Sequence, residues 1–307
     1  MKTTILSTVC FAILFLAANY CSSQSVPDST VQYRIETLSG NEFIGTILNE
    51  DSVRIQIKTL ELGEISIPRS EIKQVLKIDK QQIKNGKYWF ENPQSSRYYW
   101  APNGYGLKAG EGYYQNTWVF YNQVSVGVTN SFSVGIGMIP LFLFAGTSTP
   151  VWIVPKFSIP VVKDKLNIGV GALAATVLGE EGISFGIVYG VSTFGSRDNN
   201  MSFGLGYGYA GGDWAKTPLI NLSAMVRTGR NGYFVTENYF IGVGDNFLTL
   251  LSLGGRSIIR QSAGVDYGLV IPVSSNMDSF FALPWLGITV PFGKPAKAIK
   301  NAPKQGL

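Results

Sequence analysis

Five ionisable residues stand inside stretches that are otherwise apolar or built of small residues: Lys156, Arg227, Glu237, Arg256 and Asp266. A charge in that setting must find a partner, because burying it alone is too costly. Two chemistries fit: a structural ion-pair network, or a constriction that selects solutes by charge. Alternation along the chain places Arg227, Arg256 and Asp266 on a face shared with small residues, where Asp266 has Arg256 or Arg260 as a partner. Arg227, Arg256, Asp266 and Glu237 are therefore the candidate lumen or constriction residues.

Catalytic chemistry is narrowed further. The chain has no histidine, which excludes Ser-His-Asp and Cys-His relays and histidine-ligated metals. Its two cysteines are Cys10 and Cys21, so a mature chain lacking the leader has no thiol. Glu180-Glu181 is an adjacent pair whose side chains diverge, in a Leu-Gly-Glu-Glu-Gly stretch that reads as a solvated turn. Gly204-Leu205-Gly206-Tyr207-Gly208-Tyr209 lacks the following helix and the ribose-binding carboxylate of a dinucleotide loop. The expectation is a non-enzyme with no catalytic residues, no cofactor and no metal.

The elements that hold these residues follow from composition. The 307 residues are 45% hydrophobic and only 15% charged, with 35 glycines, a formal charge of +5 and a mean hydropathy of +0.14. No stretch approaches the roughly 18–20 apolar residues of a spanning helix, so the apolar residues must lie in strands. Lys2, the apolar run Ile5–Ala18 and the polar stretch after it have the layout of a secretory leader, cleaved before Gln24. Tyr20 before Cys21 argues against a lipoprotein signal. The excess positive charge sits in Lys2 and in Lys294, Lys297, Lys300 and Lys304, so it marks the leader and a lysine-rich tail at 294–307.

Residues 24–90 read as a small β domain. Strands are expected over 31–38, 42–48, 52–59, 64–68 and 71–78, with clear alternation in Arg54-Ile55-Gln56-Ile57-Lys58. Five short strands, a turn at Gly40 and Gly45 inside the second strand resemble an SH3-like or Sm-like small barrel, over about one-sixth of the chain. The region has nearly equal numbers of basic and acidic residues, and before Tyr88 its only aromatics are Tyr33 and Phe43. Nucleic-acid binding needs a basic footprint and stacking platforms, so no nucleic-acid partner is expected. A protein-docking role for the domain is.

From 97 to 293 the alternation is of another kind. In Met201–Tyr209 and in Ile183–Ser192, large apolar residues alternate with Gly or Ser, and the same pattern recurs in Phe132–Met138. The solvated face of a soluble sheet would carry Lys, Glu and Thr. A face of Gly and Ser instead fits a narrow barrel interior, with the large residues turned to lipid. Strands are expected at 116–128, 131–144, 151–161, 165–177, 182–194, 200–210, 217–228, 232–243, 246–258, 261–272 and 279–292. Barrels of this class have even numbers. Tight turns belong on the periplasmic side, so a further ascending strand is expected at 97–107, which brings the count to twelve, with ten as the alternative.

The last strand alternates Leu286, Ile288, Val290 and Phe292, and similar C-terminal strands carry the signal read by barrel-insertion machinery; here residues 293–307 follow it. Trp118, Trp152, Trp214, Trp285, Tyr113, Tyr114 and Tyr233 fall near strand ends and are expected to form interface girdles. Gly104–Lys108, Gly110–Asn116, Glu237-Asn238 and Val265–Leu269 make the body similar to uncharacterised outer-membrane β-barrel proteins of the Bacteroidota type. That resemblance implies architecture and location, and no particular activity.

The fold class expected is all-β: an antiparallel transmembrane barrel preceded by a small SH3/Sm-like domain. The expected partners are outer-membrane lipid, the barrel-insertion machinery and a periplasmic protein partner of the N-terminal domain. The N-terminal domain and the tail are placed in the periplasm. The function read from these features is a narrow channel or carrier for small or partly apolar solutes. The alternative is a non-transporting scaffold whose N-terminal domain docks a protein.

Overall fold

The computed structural model describes residues 31–78, 80–180, 182–243, 246–259, 262–274 and 279–293. The expected leader, the lysine-rich tail, Glu181 and Arg260 lie outside the described residues. The chain divides into two units between Asp79 and Lys80.

The first unit is a five-stranded antiparallel sheet: β1 (Gln32–Thr37), β2 (Glu42–Glu50), β3 (Arg54–Thr59), β4 (Gly63–Pro68) and β5 (Ile72–Ile78). Their order is β4-β3-β2-β1-β5, with a single 3-10 turn, Arg69–Glu71, between β4 and β5. The alternation of β3 and β4 puts Ile55, Ile57 and Ile67 into a core with Ile35. Burying each is worth about 1.5–3 kcal/mol. Gly45 is required in β2, because a Cβ there would lie 2.0 Å from the Lys58 carbonyl oxygen.

The second unit begins with a two-residue hairpin, β6 (Ile83–Lys84) and β7 (Lys87–Tyr88), closed by Asn85-Gly86 with φ of 51° and 72°. Asn-Gly is the favoured pair for that turn. Twelve antiparallel strands then close into a barrel. They are β8 (Glu111–Thr117), β9 (Tyr121–Gly127), β10 (Phe132–Met138), β11 (Thr149–Val162), β12 (Leu166–Leu178), β13 (Ser184–Gly195) and β14 (Asn199–Ala210). After the short β15 (Asp213–Trp214) come β16 (Leu219–Arg227), β17 (Gly232–Val243), β18 (Asn246–Ile259), β19 (Ala263–Ser274) and β20 (Leu283–Gly293). Pairing of β20 with β8 and of β13 with β14 leaves no edge in the ring. A short helix, α1 (Pro140–Phe144), lies between β10 and β11. Connections 128–131, 163–165, 196–198 and 228–231 share one end with the barrel's two termini, here called the terminal end. The longer 139–148, 179–183 and 211–218 lie at the other.

The count of twelve is as expected, but the twelfth strand is not 97–107. That segment makes one isolated bridge, Arg97 to Pro102, and lies in the lumen. The extra strand is β8, most of which precedes the expected 116–128; that stretch holds only the end of β8, a turn at Trp118 and Val119 with φ of 52° and 68°, and β9. The apolar Trp118-Val119-Phe120 hides this turn from a hydrophobicity reading. Its carbonyls are satisfied by side chains, since the Asn116 amide donates to Val119 and the Asn122 amide to Val119 and Phe120.

The two faces are also assigned differently in one strand. In β14, Met201, Phe203, Leu205 and Tyr207 are 42–61% exposed, while Ser202, Gly204 and Gly206 between them are buried. Opposite residues of an antiparallel pair share a face. Val191, Tyr189 and Ile187 pair with Gly204, Gly206 and Gly208, so in β13 the large residues point inward, against expectation. The alternation is present but its phase is reversed, because inward glycines of β12 and β14 leave room for them. A Cβ on Gly171 would meet the Tyr189 hydroxyl at 2.5 Å, and one on Gly206 would meet Ile187 Cδ1 at 2.6 Å.

Candidate functional site

Strand period decides where the charges go. The twelve barrel strands contain six charged residues: Glu111, Lys156, Arg227, Glu237, Arg256 and Asp266. Register and alternation put all six on the inward face. The outward face of the strands carries apolar, small and uncharged polar residues only.

Arg256 and Asp266 are directly opposite each other on β18 and β19 and form the ion pair anticipated for Asp266, with Nε to Oδ1 at 2.6 Å. Arg256 is fully buried. Its remaining donors go to the segment that threads the lumen: Asn92 Oδ1 at 3.2 Å, the Gln94 carbonyl at 3.0 Å and the Tyr98 carbonyl at 2.6 Å. Asp266 also accepts from Gln94 Nε2 at 2.5 Å and stands 3.8 Å from Arg97 Nη1. Arg97 in turn donates to Gln94 Oε1 and Thr289 Oγ1, both at 2.8 Å, and to the Tyr99 carbonyl. A buried pair of this kind offsets its desolvation only through such additional hydrogen bonds, so removing one partner costs more than the pair itself contributes.

Glu237 is in no ion pair among the described residues. Its Oε2 accepts the backbone N–H groups of Trp100 and Ala101, each at 2.9 Å, and its Oε1 accepts the Tyr239 hydroxyl at 2.8 Å. Arg227 is the last residue of β16 and shares a register row with Tyr233 and Arg256, but its own contacts are separate. It pairs with Asp198 at 2.8 Å, donates to the Phe90 carbonyl at 2.6 Å and stacks on Trp89. The structure thus joins Arg256 to Asp266, and gives Glu237 and Arg227 partners of their own.

Sequence reasoning missed what these residues hold. Residues 92–107 form an inner loop. Tyr98 hydrogen-bonds Asn200 at 2.6 Å and Ser202 at 2.7 Å, and the Gly104 N–H donates to Thr193 Oγ1 at 2.7 Å. Lys156 Nζ donates to the Ser96 and Tyr105 carbonyls at 3.1 and 2.6 Å. Tyr99 lies against Gly254 and Gly268, where a Cβ would come within 2.6 and 2.7 Å of its hydroxyl. The small polar residues of the inner face are therefore the seat of this loop in the terminal half of the lumen. One signal was available: Pro102-Asn103-Gly104 in the middle of 97–107 is turn chemistry, which a strand does not carry.

The inner loop ends at an apex, Trp100-Ala101, and beyond it lies a cavity of about 620 Å³. Its walls use the ends of the strands remote from the barrel's termini: Trp152 of β11, Leu173 and Ala175 of β12, Ile187 and Tyr189 of β13, Leu219 of β16 and Ile241 of β17. Trp152 stacks on Tyr121 at 4.6 Å between ring centres, and Trp285 packs on Tyr99 at 5.4 Å. Trp152, Trp285, Tyr113 and Tyr233 are buried, which corrects their reading as girdle residues; Trp118, Trp214 and Tyr114 are exposed. The interior makes room for aromatics by glycine, as at Gly137, whose Cβ would fall 2.3 Å from the Trp152 ring. Leu286, Ile288, Val290 and Phe292 all face outward, each more than a third exposed.

The chain matches no protein-family model, no curated protein and no solved structure.

Proposed function

We propose that this is an outer-membrane β-barrel protein that carries small, partly apolar solutes and does not form an open channel. The supporting observation is the placement of all six strand charges on the inward face of a closed ring, leaving an outer belt that includes Phe157, Leu205, Leu253 and Ile288. A closed ring satisfies its backbone groups internally, which is the condition for β-structure in lipid. Under this reading the terminal end faces the periplasm, with the N-terminal domain and the tail, and the outward face of β20 presents its apolar row to the insertion machinery. The inner loop favours a carrier, since it fills the half of the lumen through which ions would pass.

Reconstitution tests this. Planar bilayers containing the protein should show no steady conductance, while liposomes containing it take up an uncharged aromatic solute faster than empty ones. Steady conductance would make it a channel, and a protein that stays at the bottom of a flotation gradient, apart from the vesicles, would end the reading altogether. The scaffold reading is favoured by the division of the chain into two compact units, the first with its own apolar core. Deleting residues 24–78 leaves the second unit whole: a carrier keeps its uptake, whereas a scaffold loses capture of its periplasmic partner.

A further inference from the structure

The cavity above Trp100 has features that specify an occupant. Cavities of about 300–1,000 Å³ with mostly apolar walls enclose molecules of drug size. This one, of about 620 Å³, is walled chiefly by aromatic and aliphatic side chains. Two cations border it, and both are engaged. Lys156 Nζ is held by the Ser96 and Tyr105 carbonyls, and the terminal nitrogens of Arg97 by Gln94, Thr289 and the Tyr98 and Tyr99 carbonyls. The carboxylate beneath the apex, Glu237, is taken up by two backbone N–H groups and Tyr239. An ionised ligand would surrender its hydration and would have to displace these hydrogen bonds to reach a counter-charge, a cost that an uncharged ligand avoids. Uncharged polar groups are few: Ser133 and Gln115 stand in the wall, and Tyr189 lines the cavity with a hydroxyl that has no hydrogen-bond partner among the described residues.

The glycines of β14 add a second line of argument. Gly206 is glycine because Ile187 occupies its Cβ position. Gly204 also lines the cavity, yet a Cβ there would meet nothing closer than Asn221 Cβ at 3.4 Å, an ordinary contact. Packing does not require glycine at 204, and its effect is to keep the cavity open.

We infer that this cavity is the binding site for a single uncharged, largely apolar molecule bearing at most one or two hydrogen-bonding groups, seated on Trp100 and reached from the end remote from the barrel's termini. The inference rests on the carrier reading and names its substrate class. The geometry makes Trp152, Tyr189 and Leu219 contact residues and Gly204 the residue that sets the volume.

Photolabelling of the full-length protein in lipid nanodiscs with (trifluoromethyl)phenyldiazirine, followed by peptide mapping, tests it. Labelling of Trp152, Tyr189 and Leu219 should saturate and be competed by naphthalene but not by naphthoate. Gly204→Trp should lower lumen labelling by at least about tenfold, the scale on which an apolar pocket responds to lost space. Leu173→Trp, which fills the cavity from β12, should do the same if Gly204→Trp fails to fold. Label at Phe203 and Leu253 on the outer belt should be non-saturable and unchanged in both variants. Lumen labelling that never saturates, survives both variants, or is competed equally by naphthoate overturns the inference. Saturable lumen labelling with no label on Phe203 and Leu253 upholds the site and overturns the membrane reading.

Discussion

The two units of this chain use the same secondary structure in opposite senses. In the five-stranded sheet, Ile35, Ile55, Ile57 and Ile67 are inside, and Arg54, Lys58 and Glu64 are exposed. In the twelve-stranded barrel, Arg256, Asp266, Arg97 and Gln94 are inside, and Phe203, Leu205, Leu286 and Ile288 are exposed. Each strand set obeys a period of two, so the backbone does not distinguish them. What differs is the outer face, charged on the sheet and apolar on the barrel. Water rewards the first arrangement by the hydrophobic effect; under the proposed membrane reading a bilayer would offer no such gain, and hydrogen bonds to the inner loop would hold the interior instead.

Substitutions at matched positions measure that contrast. The largest effect is expected at Arg256→Ala, which leaves Asp266 buried without its main partner and should cost the barrel about 3–5 kcal/mol. Urea unfolding of the reconstituted protein measures it. The double variant Arg256→Met/Asp266→Leu should recover part of the loss. A cost below about 1 kcal/mol, typical of exposed pairs, would mean that water reaches the cluster and that the barrel has no polar core.

Ile57→Ala in the small sheet should cost about 3 kcal/mol through the cavity it leaves. The loss should appear in the first unit's transition only, with the heat-modifiable gel mobility of the barrel unchanged. A parallel fall in both transitions would show that the two interiors are not independent.

Leu205→Arg places a charge in the middle of the outer belt and should cost about 2 kcal/mol or more in a bilayer. The matched change Leu60→Arg, at a residue 86% exposed in the small unit, should stay within about 0.5 kcal/mol of wild type. Equal, negligible effects at the two sites would remove the case for lipid around the barrel.

The smallest effect is a pH dependence confined to the small unit. The Asp51 carboxylate accepts the N–H groups of Val53 and Arg54, both at 2.8 Å, which holds its pKa below the usual 3.8. A depressed folded value means the contribution is present above the unfolded pKa and is lost as pH falls through the folded one. Thermal unfolding of the first unit should therefore lose a little stability on acidification below about pH 4. Asp51→Ala should flatten that limb, and an unchanged acid limb in the variant would show that other carboxylates set it.

Much of this architecture was legible residue by residue. The five short strands of the first unit followed from alternation around Ile55, Ile57 and Ile65, and the outward row Leu286–Phe292 from its own period. Arg256 and Asp266 were readable as partners because their neighbours are small and apolar. The hairpin at Trp118-Val119 was not, because its turn is made of apolar residues and is stabilised by asparagine side chains that lie outside it in sequence. Nor was the inner loop, whose Tyr98-Tyr99-Trp100 run has the aromatic content of a strand.

Composition and alternation alone determined that this chain is all-β, that it has two different parts, and that the second is a ring with charges on one face only. These properties are local, set by which residue types stand two apart. Only the tertiary structure decided which face of β13 points inward, that residues 92–107 occupy the lumen, and that a cavity remains beyond Trp100. Those outcomes depend on cross-strand register: Gly206 has space for Ile187 because the two stand on neighbouring strands, a relation that no spacing along the chain encodes.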